Sequence, residues 1–82
     1  MTLKHVANSL GLRGLKAVGA LARVAGVSTG TAYNWIYRNA IPQYESAVLV
    51  KAFLLTKVQE IPDQKTRRDI EVAIHDLFRR AA

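Results

Sequence analysis

The sequence predicts an all-α fold, a compact domain of five helices, on three observations. Apolar residues recur three and four positions apart through most of the chain. Glycine and proline interrupt that rhythm at Gly11 to Gly14, at Gly26, at Pro42 and at Pro62-Asp63. No stretch alternates strongly enough, apolar with polar, to read as a strand.

Each segment has its own start and stop signals. Helix 1 is expected over about residues 3–10, with Thr2 as N-cap, Leu3, Val6, Ala7 and Leu10 inward, and Gly11 ending it. A loop through Leu12, Arg13 and Gly14 leads to helix 2, about residues 15–25, whose inward positions are Leu15, Val18, Leu21, Ala22 and Ala25. Helix 3, about residues 28–38, starts at Ser28, whose hydroxyl suits an N-cap, and turns Ala32, Trp35 and Ile36 inward. It stops near Asn39, because Pro42 disfavours helical geometry at Ile41. Helix 4 is expected from about Pro42, since proline suits a first turn. Its stretch from Ala47 to Leu55 is apolar nearly all the way round, so it needs cover on more than one side. Helix 5, about residues 64–80, has Asp63 at its start, Ile70, Ala73, Ile74, Leu77 and Phe78 at helical spacing, and Arg79 and Arg80 favourably placed against its dipole. Helix 5 therefore covers helix 4, within or between subunits.

Composition bounds the function. Eighty-two residues suit one domain, with a core modest enough that helix packing or self-association supplies much of the stability. Half the residues are apolar, which argues against disorder, and the absence of cysteine excludes disulfides and thiolate metal sites. A cytoplasmic location is expected, with no membrane segment: the longest apolar stretch is broken by Lys51 and falls far short of the roughly 20 residues a span requires. The first residues also lack a signal-peptide core.

Residues 18–37 carry the spacing of a helix-turn-helix. Ala22 is small where the second helix would cross the first, Gly26 suits the left-handed turn, and Val27 fills the corner. Thr29, Gly30, Tyr33, Asn34 and Tyr37 are then left on the outward face, with Asn34 the first candidate for base contact, because an amide matches adenine N6 and N7 in the major groove. Gly30 either lets the backbone approach a duplex closely or is merely tolerated. Lys16, Thr31, Tyr37 and Arg38 are candidate phosphate contacts. Tyr33 and Tyr37 are either exposed for DNA or folded back onto helix 4. Trp35 falls in the core phase.

Charge points the same way. Residues 1–44 contain Lys4, Arg13, Lys16, Arg23 and Arg38 but no acid, and the formal charge is +6. A surface without carboxylates does not repel phosphate. Basic surfaces also serve RNA, anionic membranes and acidic proteins, so charge supports the motif rather than replacing it. His5 and His75 lack companions at ligand spacing, and Asp69, Glu71 and Asp76 sit among Lys65, Arg67, Arg68, Arg79 and Arg80 as plain surface exchanges. No metal, cofactor, small-molecule ligand or catalytic constellation is expected.

The segments Leu-Lys-His-Val-Ala-Asn-Ser-Leu-Gly, Ala-Gly-Val-Ser-Thr-Gly-Thr-Ala-Tyr-Asn-Trp-Ile and Ile-Pro resemble the small helix-turn-helix regulators of temperate bacteriophages, the Cro, CI and CII group with its lambda-repressor-like domain. The resemblance covers about residues 2–55 and leaves a C-terminal helix, about 63–80, for packing or dimerisation. It implies that the start and outward face of helix 3, here Ser28, Thr29, Gly30, Tyr33 and Asn34, read bases and that flanking polar or basic residues, Tyr37 and Arg38 among them, hold phosphates. It implies a phage or prophage repressor that binds a palindromic operator as a homodimer. Two departures stand out. Val18 takes the place of a common Gln, removing one phosphate anchor, and Ala32 replaces a β-branched residue, trimming the core beneath Trp35. The competing expectation is a small phage protein whose apolar C-terminal helices bind and inhibit or adapt a host protein. Non-specific nucleoid or RNA binding is a third reading, in which Asn34 would be dispensable.

Overall fold

In the computed structural model, which describes residues 1–79, five helices follow one another with short links: α1 Leu3–Ser9, α2 Gly14–Ala25, α3 Thr29–Tyr37, α4 Tyr44–Val58 and α5 Gln64–Arg79. No strand occurs among the described residues. The order of packing is legible from the helix neighbours: α2 lies against both α3 and α4, α5 packs on α4 and reaches α1, and α1 closes against α3.

The first three helices are bounded by local chemistry. The Thr2 hydroxyl accepts the His5 N–H at 3.2 Å and starts α1. At its other end Gly11 takes φ 82°, a left-handed conformation that glycine adopts without a Cβ penalty, and the Leu12 N–H returns to the Ala7 carbonyl. That reversal carries Leu12 into the core. The expected loop residue is therefore a buried one, the apolar contact that commonly closes such a helix end. Gly26 does the same for α2 at φ 68°, with its own N–H and that of Val27 both returning to the Ala22 carbonyl. Ser28 then caps α3, its Oγ accepting the Thr31 N–H at 3.2 Å.

The core is apolar throughout. Leu3, Val6, Ala7, Val18, Leu21, Ala22, Ala32, Trp35 and Ile36 meet under α1 to α3, continuous with Val50, Leu54, Val58, Ile70, Ile74, Leu77 and Phe78 between α4 and α5. No polar side chain is buried among the described residues, so burial carries no desolvation cost that a partner must offset. Only two ion pairs form there, Lys57–Glu60 and Arg79–Asp76, each 3.9 Å apart at i, i+3 on the surface, where such pairs contribute little.

Several expectations need correction. Leu15 is not inward but 74% exposed; α2 begins one residue earlier, at Gly14, and its buried stripe runs through Ala17, Val18, Leu21 and Ala22, about a quarter turn from Leu15. α1 ends at Ser9, with Leu10 as its cap and half-buried. Ser28 is the N-cap of α3, as expected, while Arg38 follows the helix as its C-cap. α4 starts at Tyr44, not Pro42. Asn39 reverses the chain at φ 56°, the Ala40 N–H reaches back to the Asn34 carbonyl, and Pro42 is spent as a fully buried plug before the helix begins. α5 is described to Arg79; the expected contribution of Arg80 lies outside the described residues.

The all-round apolar α4 is covered by α2 and α5 on one side only. Tyr44 (86%), Val48 (67%) and Leu49 (45%) stand in solvent, as does Ala52, while α5 adds the exposed Val72. Gln59 on the residue after α4 donates to Glu71 at 3.1 Å, and Arg67 donates to the Ile61 carbonyl at 2.9 Å, tying the α4–α5 corner. No helix is long and apolar enough to cross a membrane among the described residues.

Candidate nucleic-acid interface

α3 is the helix whose two faces differ most in consequence. Ala32, Trp35 and Ile36 are buried, which fixes the rotation of the helix. Ser28, Thr29, Gly30, Thr31, Tyr33, Asn34, Tyr37 and Arg38 are consequently all exposed along one outward surface. Every residue assigned from sequence to base contact lies on it, as do three of the four assigned to phosphate. Lys16 is also exposed, in the first turn of α2. The start of α2 comes near the end of α3, because the Tyr37 hydroxyl lies 3.6 Å from where a Cβ on Gly14 would stand.

The N-terminal end of α3 is already internally hydrogen-bonded. Ser28 Oγ accepts the Thr31 N–H and lies 3.1 Å from Thr31 Oγ1, so these two hydroxyls form a local pair with limited remaining capacity. Gly30 stands at the second helical position with open space around it. A Cβ there would meet nothing closer than Ser28 Oγ at 3.8 Å, an ordinary contact, so the fold itself does not require glycine. The Asn34 carbonyl accepts the Arg38 and Ala40 N–H groups, while its side-chain amide makes no hydrogen bond among the described residues and faces solvent. An unengaged, exposed amide on a rigid helix offers the donor and acceptor pair that adenine matches.

The two tyrosines do not fold back onto α4. Their rings stack on each other, centroids 4.6 Å apart at a 36° tilt, and both remain about two-fifths exposed. Lys4, on the exposed side of α1, holds its ammonium 5.4 Å from the centre of the Tyr37 ring. Sequence reasoning did not place Lys4 with these residues. α1 carries no motif for such a contact, and only the packing of α1 against α3 brings it there.

Electrostatics reinforces the division between the two helical layers. All six acids fall at or beyond Glu45, whereas α1 to α3 and their links carry five cations and no acid. Asp63, just before α5, lies far from this surface in sequence. Hydrogen bonds from the Thr66 hydroxyl and backbone hold its carboxyl below the ordinary 3.8, outweighing slight desolvation, with Arg67 helping. No group of three His, Cys, Asp or Glu side chains positioned to hold a metal occurs among the described residues. No protein-family model, curated protein or solved structure matches the chain.

Proposed function

We propose that the chain is a sequence-specific double-stranded DNA-binding regulator of transcription, a Cro-type phage or prophage repressor that occupies a palindromic operator as a homodimer. The observation that carries the proposal is the outward face of α3: Thr29, Gly30, Tyr33 and Asn34 exposed together on a helix locked by Ala32, Trp35 and Ile36, within a region free of carboxylates. A helix of this width fits the major groove, where Asn34 would read adenine and the tyrosines a thymine methyl or a phosphate. Lys16, Tyr37 and Arg38 would hold the backbone and set register.

The dimer is supported by the apolar side chains left in solvent on α4 and by the small reading surface of one α3. Two such helices about 34 Å apart would engage successive major grooves on one side of the duplex. No cofactor is invoked. Repression would follow from occupying promoter DNA.

The test is selection of bound duplexes from a randomised pool at near-physiological salt. Enrichment of a palindrome with half-sites one helical turn apart is the expected result. Binding that enriches nothing and vanishes as salt rises would replace this reading with non-specific nucleic-acid binding. The exposure of Tyr44, Val48 and Leu49 favours one further reading, a small phage protein that docks on a host protein through α4 and α5. Absence of duplex binding at any salt would favour it.

A further inference from the structure

The row formed by Lys4, Tyr37 and Tyr33 spans two helices. Tyr33 and Tyr37 are one turn apart on α3, and Lys4 reaches them from the first turn of α1. The Lys4 ammonium lies 5.4 Å from the Tyr37 ring centre, inside the range in which a ring's quadrupole attracts a cation. Tyr37 is in turn braced by the Tyr33 ring at 4.6 Å and by the start of α2 beside its hydroxyl. Lys4 makes no ion pair among the described residues, and no acid precedes Glu45 to compete for it.

This geometry does something that a lone surface lysine cannot. An exposed lysine samples many rotamers, and ordering it on binding costs conformational entropy. A ring beneath the ammonium restricts that sampling before any ligand arrives and leaves its outer N–H groups unused. The site lies at the C-terminal end of the α3 face, next to the exposed C-cap residue Arg38.

Resting on the DNA reading above, we propose that Lys4 binds a backbone phosphate of the duplex and that Tyr37 is its positioning residue, held in place by Tyr33. Tyr37 thus acts less as a contact in its own right than as the shelf that carries the α1 cation to the rim of the α3 surface. Lys4 contributes affinity on any sequence, while Asn34 discriminates among sequences.

The experiment measures binding of the full chain to a tightly bound duplex from the selection and to a scrambled duplex, across a salt series. Lys4→Gln should lower the slope of log affinity against log salt by about 0.9 on both duplexes, and Lys4→Arg should restore it. One such ion corresponds to about an eightfold change in affinity between 0.1 M and 1 M salt. Tyr37→Phe, which keeps the ring, should keep the parent's salt slope, because a neutral hydroxyl releases no counterion whatever hydrogen bond it adds. Tyr37→Leu should weaken binding and lower the salt slope, and should cost less in the Lys4→Gln background than in the parent, a non-additivity that a purely structural tyrosine would not produce. An unchanged slope in Lys4→Gln overturns the inference, as does a Tyr37→Leu loss of equal size with and without Lys4. Those outcomes leave the DNA reading standing, whereas a parent chain that binds neither duplex overturns both. Helical circular dichroism on each variant separates lost contacts from lost structure.

Discussion

Gly30→Ala separates what the fold needs from what the function needs. At the second position of α3 the backbone is ordinary right-handed helix, and an added Cβ meets only Ser28 Oγ, at 3.8 Å. Nothing in the chain opposes the methyl. Alanine also restricts the unfolded chain more than glycine does, so the variant should gain stability, up to about 1 kcal/mol in a helix interior and roughly half that in a first turn. For a domain of this size about 0.5 kcal/mol raises Tm by about 2 to 4 °C. Urea and thermal unfolding followed by the helical circular-dichroism signal measure that gain. If the backbone of α3 closes on the duplex at Gly30, the same methyl intrudes between protein and DNA, and affinity for the selected duplex should fall by about tenfold, or 1.4 kcal/mol. A more stable protein that binds more weakly is the expected pair of results. A loss of stability would refute the open surroundings drawn around Gly30. Greater stability with unchanged affinity would show that the glycine is tolerated rather than required, and that α3 meets the groove through its later residues.

Other perturbations test separate parts of the account. Asn34→Ala keeps the backbone carbonyl that receives Arg38 and Ala40, so stability should stay within about 0.5 kcal/mol, while discrimination at one base position falls by about 1 to 3 kcal/mol; a uniform loss on all sequences would contradict base readout. Leu54→Ala, at a fully buried site between α4 and its neighbours, should cost about 2 to 5 kcal/mol in urea unfolding, and a cost below about 1 kcal/mol would mean the site is not core. Ser28→Ala removes the α3 cap and should cost about 1 kcal/mol. Asp63 titrates below its ordinary value in the folded chain, so its contribution is present above about pH 4 and is lost as pH falls through the lowered folded pKa; Asp63→Asn should therefore flatten the acid limb of stability below about pH 4, and an identical acid limb would remove Asp63 from that role.

The parts of the fold legible in the sequence are those set by local chemistry. Thr2, Gly11, Gly26 and Ser28 mark helix ends through hydrogen bonds or backbone conformations that a few residues specify, and each acts where expected. The inward face of α3 was equally readable, because Ala32, Trp35 and Ile36 admit one phase. Errors cluster where tertiary packing decides. Leu15 fits a stripe with Val18 and Ala22, but packing centres the buried stripe on Ala17, Val18 and Leu21 and leaves it at the flank, while Leu12, read as loop, is drawn in by the reversal at Gly11. Pro42 fits a helix start as well as it fits a buried plug, and only the turn at Asn39 selects the second. Lys4 was illegible for a related reason: its partners are about 30 residues away, on a helix that α1 meets only once the bundle has formed.

The two layers of the bundle divide the physical tasks. α1 to α3 hold the cations and the exposed polar face, so they cannot approach a second copy of themselves without like-charge repulsion. α4, α5 and the link between them hold every acid of the chain among their cations and present Tyr44, Val48, Leu49 and Val72 to solvent. Self-association through the basic layer would also cover the α3 face and bury unpaired charge. The balanced layer has neither cost. A dimer that leaves both α3 faces free is therefore compatible with this charge distribution, and its signature is specific: raising salt should weaken duplex binding steeply while leaving the protein's own association state nearly unchanged, because the first is counterion-driven and the second apolar. Sedimentation of the free protein across the same salt series checks it. Dissociation that tracks loss of DNA binding would place the cations in the subunit contact and undo the division.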